Sequence, residues 1–279
     1  YKRQLHPDRV VIGEVDERSG SMLKEFYERL YGVDTPPILR TNPTNAELIK
    51  YANNIFLATK ISFINTIANI ASRLPGGDVG VVAKGISLDR RISPHFFGAG
   101  LGFGGSCFPK DLRAFTTFAK KIGVEARLLE AVMAVNESQP YVAVEMAKRM
   151  VGSLKGRRVA LLGLAFKPGT SDMRGAVSIP LAEAFLREEA NVVVHDPRAM
   201  DEARMLLGDR VEYASTPLDC IDGCDCVVIV TEWDEYRGLQ PRDFVERMRE
   251  PVLIDGRRIY DPKVFMAGGV RYSAVGLGP

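Results

Sequence analysis

The 279-residue sequence has only four cysteines, almost no net charge and no long apolar run. Four cysteines are too few for the disulfide framework of a secreted scaffold, and they suit the reducing cytoplasm. A formal net charge of +2 gives no general reason to expect nucleic acid or an anionic membrane as a partner. Because no run reaches the roughly 18 apolar residues that a transmembrane helix requires, we expect no membrane-spanning segment.

The rest of the composition, 46% hydrophobic and 26% charged, is typical of a globular protein. A chain of this length corresponds to about two domains at roughly 100–200 residues each. The sequence begins at Tyr1, with neither Met nor a signal-like segment, and therefore reads as if it starts inside a longer protein.

Three of the cysteines, Cys220, Cys224 and Cys226, lie close together and raise the question of a metal site. The paired C-x2-C spacing of many zinc sites is missing, and Cys226 opens an apolar run that ends at Val230. We therefore interpret these cysteines as small buried thiols at the start of a strand, and we predict no bound metal.

Residues 1–40 are predicted to be the end of a domain. Arg9–Gly13 and Ile38–Leu39 are strand candidates, and Ser19–Tyr31 has the apolar spacing of a helix. No partner strands precede them, so we expect this segment to complete a sheet whose remainder is not in the sequence.

Residues 41–151 are predicted to be all-helical. Thr44 and Glu47 have capping-box spacing at the start of a helix that should reach about Arg73. This helix is apolar nearly all round, so we expect it to be buried in a core or against a second copy of itself. Further helices are predicted at Val79–Ile86, Asp111–Ile122 and Glu125–Val151, the last with a kink or restart at Pro140.

Residues 152–279 alternate short apolar runs with helical patterns, which indicates βαβ units and a parallel, doubly wound sheet. The predicted strands are 159–163, 192–194, 227–230, 252–254 and 271–275. The predicted helices are 178–189, 200–207 and 242–248. The fold class is therefore α/β, with a helical central domain followed by a doubly wound sheet.

The segment from Gly98 to Asp111 is the most informative part of the sequence. Five glycines precede Cys107, and glycines allow backbone amides to approach a ligand closely. Cys107 should lie just before a helix N-terminus, where amides and the macrodipole favour a thiolate. Asp111, one turn later, could position or deprotonate a water molecule. The alternative is a glycine-rich turn with a structural cysteine.

Lys50 and Asn54 are four residues apart and share one face of the long helix. An ammonium and an amide that point the same way could stabilise a negatively charged oxygen. The alternative is that Lys50 extends its ammonium to water while Asn54 caps a neighbouring helix.

Two charged loops follow predicted strands. The first runs from Gly163 to Arg174, and it is not the G-x-G-x-x-G fingerprint of a dinucleotide site. Lys167 and Arg174 there, and Arg257 after a later strand, would suit phosphate or carboxylate groups. The alternative for each is a solvated charged loop.

Together these motifs resemble the UDP-glucose/GDP-mannose dehydrogenase family. The resemblance rests on five stretches in the family's order, which cover essentially the whole chain: Pro7–Gly13, Glu47–Asn54, Gly102–Asp111, Gly163–Lys167 and Asp255–Arg257. It implies a fold in which residues 1–40 are a remnant of an NAD-binding Rossmann domain. Residues 41–151 would be the dimerisation domain, with the long helix as the core of a homodimer, and residues 152–279 a Rossmann-like UDP-sugar-binding domain.

The resemblance also implies an activity: NAD-dependent, twofold oxidation of UDP-glucose at C6 to UDP-glucuronate. Cys107 would form a thiohemiacetal and then a thioester, Asp111 would assist hydrolysis, and Lys50 and Asn54 would stabilise the negative oxygen. Arg91 would reach the neighbouring subunit's substrate site. Contacts to the cofactor NAD are implied for Lys110 and Arg174. The remaining implied substrate contacts are Phe96, Gly98, Phe103, Gly104, Phe166, Lys167 and Arg257.

The sequence departs from the family in lacking the glycine fingerprint and most of the N-terminal NAD-binding domain. We therefore expect this chain to be inactive by itself. Within the family, GDP-mannose or a UDP-N-acetylhexosamine stays open as the substrate. Outside it, the alternative is a non-catalytic module that binds nucleotide sugars and dimerises.

Overall fold

The computed structural model describes residues 5–279, and its contacts divide the chain into two compact units. The first ends at Phe56 and the second runs from Leu57 to Pro279. The first four residues of the predicted segment 1–40 lie outside the described residues. The predicted division at residues 40 and 151 stays a prediction.

The first unit contains a β–α–β motif. It is formed by β1 (Val10–Gly13), α1 (Glu17–Tyr31) and β2 (Ile38–Thr41), with a 3-10 turn at Gly32–Asp34. The two strands pair in parallel, as a helical crossover requires. The α1 helix begins two residues before the expected Ser19, because the carboxylate of Asp16 accepts a hydrogen bond from the backbone N–H of Ser19 and caps the helix.

The long helix α2 (Pro43–Ala71) begins in the first unit and continues into the second. Burial on most sides was expected, and Ile64, Ala68 and Ala71 are indeed buried. Phe63 and Ile70, however, are 50% and 53% exposed. Seven residues are about two helical turns, so these two side chains form one apolar stripe. That stripe faces solvent in this single chain.

Four further helices precede the sheet of the second unit. They are α3 (Val79–Ser87), α4 (Phe108–Lys121), α5 (Arg127–Ser138) and α6 (Tyr141–Val151). The predicted restart at Pro140 is confirmed, since α5 ends before it and α6 begins after it. Helix α4 begins at Phe108 rather than at Asp111, because Cys107 is the N-cap and Pro109 fits the first turn.

The second unit contains a six-stranded parallel sheet, which confirms the predicted doubly wound α/β fold. Its strands are β3 (Arg158–Leu162), β4 (Asn191–His195), β5 (Glu212–Tyr213), β6 (Cys226–Ile229), β7 (Val252–Asp255) and β8 (Arg271–Ala274). Its helices are α7 (Ser178–Arg187), α8 (Met200–Leu207), α9 (Pro217–Ile221), α10 (Asp234–Arg237), α11 (Pro241–Arg247) and α12 (Pro262–Ala267), with a 3-10 turn at Gly208–Arg210.

The strand order is β5-β4-β3-β6-β7-β8. It reverses direction between β3 and β6, and in such sheets ligands bind outside the carboxyl ends of the strands at this point. Strands β6 and β7 are buried throughout, and the three cysteines Cys220, Cys224 and Cys226 are fully buried beside them. Burial raises the pKa of the Cys224 thiol to about 12, as expected for a packed rather than a reactive group. No helix among residues 5–279 is long and apolar enough to cross a membrane.

Candidate active site

Cys107 lies at the N-terminus of α4 with its side chain exposed to solvent. Its backbone carbonyl accepts the first helical hydrogen bond, from the N–H of Asp111 at 2.8 Å. The Ser106 hydroxyl is 3.7 Å from the sulfur. Because the other three cysteines are buried, Cys107 is the thiol of this chain that a solvent-borne reagent can reach.

Asp111, one turn into the same helix, is fully buried. Its carboxylate oxygen Oδ1 is 3.2 Å from the ammonium of Lys110, whose side chain is 66% exposed. The first turn of α4 therefore carries an exposed thiol, a buried carboxylate and an exposed cation.

The glycine loop before Cys107, residues 98–105, is held by carboxamide side chains. Gly100 donates its N–H to Asn65 Oδ1 at 2.8 Å, and its carbonyl accepts from Gln139 Nε2 at 2.8 Å. Asn136 contacts both the N–H and the carbonyl of Phe103, at 2.8 and 3.0 Å. These roles of Asn65, Asn136 and Gln139 were not foreseen from the sequence.

The same loop makes close backbone contacts that only glycine permits. A Cβ on Gly104 would lie 2.3 Å from the carbonyl oxygen of Gly175. Gly105 has a φ of +87°, and a Cβ there would lie 2.8 Å from the ring of Phe166. Gly105 also donates its N–H to the carbonyl of Arg174 at 2.9 Å. The 98–105 loop is thus in close contact with the loop that follows β3.

Three phenylalanines form an aromatic cluster next to Cys107 in the sequence. The ring of Phe108 is 5.8 Å from that of Phe103 and 6.4 Å from that of Phe96. Phe103 is buried, whereas Phe96 is 38% exposed and has a φ of +66°. A bulky residue in this left-handed region costs about 1–3 kcal/mol, and such strain tends to occur at ligand sites. Gly98, two residues on, is exposed with open space around it.

The loop after β3 is organised by Asp196, which is buried and was not foreseen. Its Oδ2 accepts from the N–H groups of Leu164 and Ala165 at 2.7 and 3.0 Å and from Trp233 Nε1 at 3.0 Å. Its Oδ1 accepts from the N–H groups of Arg198 and Ala199 at 2.8 and 2.9 Å.

In dinucleotide-binding sheets, the backbone amides of this first loop bind a pyrophosphate. Here the carboxylate of Asp196 already occupies the amides of Leu164 and Ala165. These two amides are therefore not free to bind the pyrophosphate of a dinucleotide, in agreement with the missing glycine fingerprint.

Phe166 and Lys167 come next in the loop. Phe166 is half-buried, Lys167 is exposed, and the ammonium is 5.4 Å from the centre of the Phe166 ring. The N–H of Phe166 donates to the carbonyl of Asp172 at 3.1 Å. A fixed ring and an exposed cation beside it suit a base and a phosphate.

Arg257, after β7, ties the glycine loop to the sheet. Its Nε donates to the carbonyl of Val230 at 2.6 Å, and its Nη1 donates to the carbonyl of Gly102 at 3.2 Å. Glu232, which sequence reasoning missed, has its Oε2 3.5 Å from Nε. Burial lowers the pKa of Arg257, while Glu232 and Asp255 oppose that shift.

Two predicted ligand arginines are exposed, and each is held by an aspartate two residues earlier. Arg174 pairs with Asp172 and Arg91 with Asp89, at 2.7 and 2.6 Å. The hydrogen bond to Asp172 raises the pKa of Arg174, with a smaller contribution from Cys107.

Lys50 and Asn54 lie on the part of α2 that belongs to the first unit, whereas the residues described above belong to the second. The Lys50 ammonium is 4.4 Å from the centre of the Tyr51 ring. Lys50 is exposed and Asn54 half-buried.

Two family models match the chain. The model of the UDP-glucose/GDP-mannose dehydrogenase family, central domain, matches residues 44–138. The model of the UDP binding domain of the same family matches residues 160–262.

Named relatives are similar over nearly the whole chain. The UDP-glucose 6-dehydrogenase TuaD of Bacillus subtilis is 40% identical over 272 residues, which are 98% of this chain and 58% of that protein. The UDP-glucose 6-dehydrogenase AglM of Haloferax volcanii is 43% identical over 256 residues, 91% of this chain and 58% of that protein. A UDP-glucose dehydrogenase structure from Pyrobaculum islandicum superposes with a TM-score of 0.87 at 42% identity, covering 99% of this chain and 60% of that one. The chain thus spans 58–60% of the length of these relatives.

Proposed function

Because the chain belongs to the UDP-glucose/GDP-mannose dehydrogenase family, we propose that it serves the twofold oxidation of UDP-glucose at C6 to UDP-glucuronate. The observation that carries the proposal is the position of Cys107. Its exposed thiol lies at a helix N-terminus. The 98–105 loop, which precedes it in the sequence, contacts Phe166 and Arg174. An accessible nucleophile with cations and an aromatic ring nearby suits a phosphorylated sugar.

The chemistry assigned to these residues begins at the alcohol. C6 loses a hydride and a proton to become an aldehyde, and the Cys107 sulfur then bonds to C6 while its proton leaves to solvent. The resulting thiohemiacetal, after protonation of its oxygen, loses a second hydride and that proton to give a thioester. Water attacks C6 and the C–S bond breaks; one proton of the water returns to the sulfur, the other leaves to solvent, and the product departs as a carboxylate.

The supporting roles follow from charge and burial. Asp111, buried one turn from the thiol, would orient the attacking water. Lys50 and Asn54 would stabilise the negative oxygen that forms when sulfur or water adds to C6. Two NAD+ molecules, which the family implies, would bind in succession and each would accept one hydride. Arg174 lines a cavity of about 960 Å³, in the upper range of small-molecule sites, and with Lys110 it is our proposed contact to NAD+.

The nucleotide and diphosphate are assigned to Phe166, Lys167 and Arg257, and the sugar to Phe96, Phe103 and the 98–105 loop. The carboxamide contacts to Gly100 and Phe103 support this assignment, because they fix the loop before a ligand arrives. A cytoplasmic location belongs to the same proposal and suits the four free cysteines.

Replacing Lys167 with alanine should weaken UDP binding about tenfold, because one charge-assisted hydrogen bond is worth roughly 1.5–3 kcal/mol. Isothermal titration calorimetry of UDP into both proteins measures this. Lys263→Ala, which removes an exposed lysine from α12, is the matched control and should bind like the wild type. Equal affinity of Lys167→Ala and wild type would remove Lys167 from the site.

Tighter binding of GDP-mannose or UDP-N-acetylmannosamine than of UDP-glucose would overturn the choice of substrate.

We also propose that the chain forms a homodimer through α2. The stripe of Phe63 and Ile70 supports this, since large apolar side chains at half exposure on one helix face suit a protein partner. The partner's Arg91 would then reach the substrate site, as the family resemblance implies.

Phe63→Lys should weaken that dimer by about 100-fold or more, because a charge would replace a central apolar anchor. Light scattering across a concentration series gives the molar mass. Val264→Lys is the control, since Val264 is 53% exposed on α12, outside the stripe. A wild type that stays monomeric, or a Phe63→Lys variant that dimerises like the wild type, would refute dimerisation through this face.

A further inference from the structure

The turn of residues 170–175 contacts both halves of the candidate site. On one side, the carbonyl of Asp172 accepts the N–H of Phe166 at 3.1 Å, in the segment assigned to the nucleotide. On the other, the carbonyl of Arg174 accepts the N–H of Gly105 at 2.9 Å, two residues before the nucleophile. The turn is therefore a direct physical connection between Phe166 and the loop of Cys107.

The connection depends on how Asp172 holds Arg174. Asp172 Oδ1 accepts from the backbone N–H and from Nε of Arg174, both at 2.9 Å, and Oδ2 accepts from Nη2 at 2.7 Å. Asp172 N–H is itself fixed by Thr170 Oγ1 at 3.1 Å. The carboxylate thus closes the turn and orients the guanidinium at once, although the Arg174 side chain is 72% exposed.

The pair of Asp89 and Arg91 repeats this geometry on another loop. There the backbone N–H and Nε of Arg91 donate to Asp89 Oδ1 at 3.0 Å, and Nη2 donates to Oδ2 at 2.6 Å. The chain therefore uses an aspartate fork at both exposed arginines that the family resemblance assigns to ligands. This two-pronged contact of an aspartate with an arginine, here called an aspartate fork, occupies Nε and one N–H of Nη2. It also restricts the arginine side chain before a ligand arrives, so that less conformational entropy is lost on binding.

We infer that Asp172 is a positioning residue: it closes the 170–175 turn so that a nucleotide bound at Phe166 and Lys167 changes the conformation of the loop around Cys107. This inference rests on the proposed function. Loss of the Asp172 charge would leave Arg174 and the backbone of the turn free to move, so that binding on one side would reach the thiol only through the contact of the Phe166 ring with Gly105, and the response of Cys107 would be much smaller.

The test measures the alkylation rate of Cys107 by iodoacetamide near neutral pH, with and without saturating UDP. UDP lacks the sugar that would shield the thiol, so a rate change reports on the loop. In the wild-type protein we expect UDP to change the rate about fivefold or more. In Asp172→Asn the change should fall below about twofold while calorimetry still detects UDP binding, and Asp172→Glu should restore part of it.

The matched control is Glu125→Gln, which removes an exposed carboxylate 2.6 Å from Arg127 on a different loop and should respond like the wild type. If Asp172→Asn does not fold, Arg174→Lys breaks the fork from its other end and should show the same loss of response. A response of Asp172→Asn equal to that of the wild type would overturn the inference, as would no response in a wild type that binds UDP. Absence of UDP binding to the wild type would instead refute the proposed function.

Discussion

Cys107→Ser should lower the rate of uronate formation by about 10³-fold or more in the full-length enzyme that the family resemblance implies, with its NAD-binding domain, supplied with UDP-glucose and NAD+. A serine hydroxyl is not ionised at neutral pH and adds poorly to an aldehyde, so neither the thiohemiacetal nor the thioester analogue would form at a useful rate. Following NADH absorbance and UDP-glucuronate by chromatography measures both products. The wild type should produce two NADH for each UDP-glucuronate.

The variant has to be compared as a folded protein. Because Cys107 is exposed at the N-terminus of α4, the melting temperature of Cys107→Ser should lie within about 2 °C of that of the wild type. UDP affinity should also be unchanged, because no nucleotide contact is assigned to the thiol. Sustained production of two NADH per sugar by Cys107→Ser would show that the nucleophile lies elsewhere. A full-length wild type, with its NAD-binding domain, that binds UDP-glucose but never oxidises it would favour the non-catalytic module.

The sequence was most informative where local pattern determines structure. The alternation after residue 152 predicted five of the six strands, and the missed one, β5, is only two residues long. The prediction that Cys107 lies at a helix start is confirmed, and Pro109 in the first turn suits that position because proline fixes its own backbone. The resemblance to the family, confirmed by the two family models, was also carried by short contiguous motifs.

The sequence was least informative where contacts join distant segments. Arg257 stays a predicted ligand contact, but nothing in the sequence showed that its Nε and Nη1 bind the carbonyls of Val230 and Gly102, the latter 155 residues away. Asn136 reaches Phe103 across 33 residues, and nothing in its neighbours distinguishes it from an ordinary helical asparagine. The half-exposed stripe on α2 could not be predicted either. The sequence shows that this helix is apolar, but not which of its faces the rest of the same chain fails to cover.

Asp196→Ala should destabilise the fold by about 3–5 kcal/mol, the largest stability effect that we expect from one exchange. The carboxylate is 1% exposed and accepts from four backbone N–H groups and from the indole of Trp233. Alanine would leave those donors buried without an acceptor, at roughly 1–3 kcal/mol for each one that water cannot reach. For a unit of this size the melting temperature should fall by roughly 10 °C.

Trp233 makes the measurement specific, because it is the single tryptophan of the chain and donates directly to Asp196. Its fluorescence reports both the loss of that hydrogen bond in the native state and the unfolding transition in urea. Asp201→Ala is the matched control, since Asp201 is exposed in the first turn of the adjacent α8 and should cost less than about 1 kcal/mol. Equal losses in the two variants would mean that water reaches the loop amides after all. The carboxylate of Asp196 would then not be what closes this crevice to a dinucleotide, and the reason would have to lie in the shape of the loop itself.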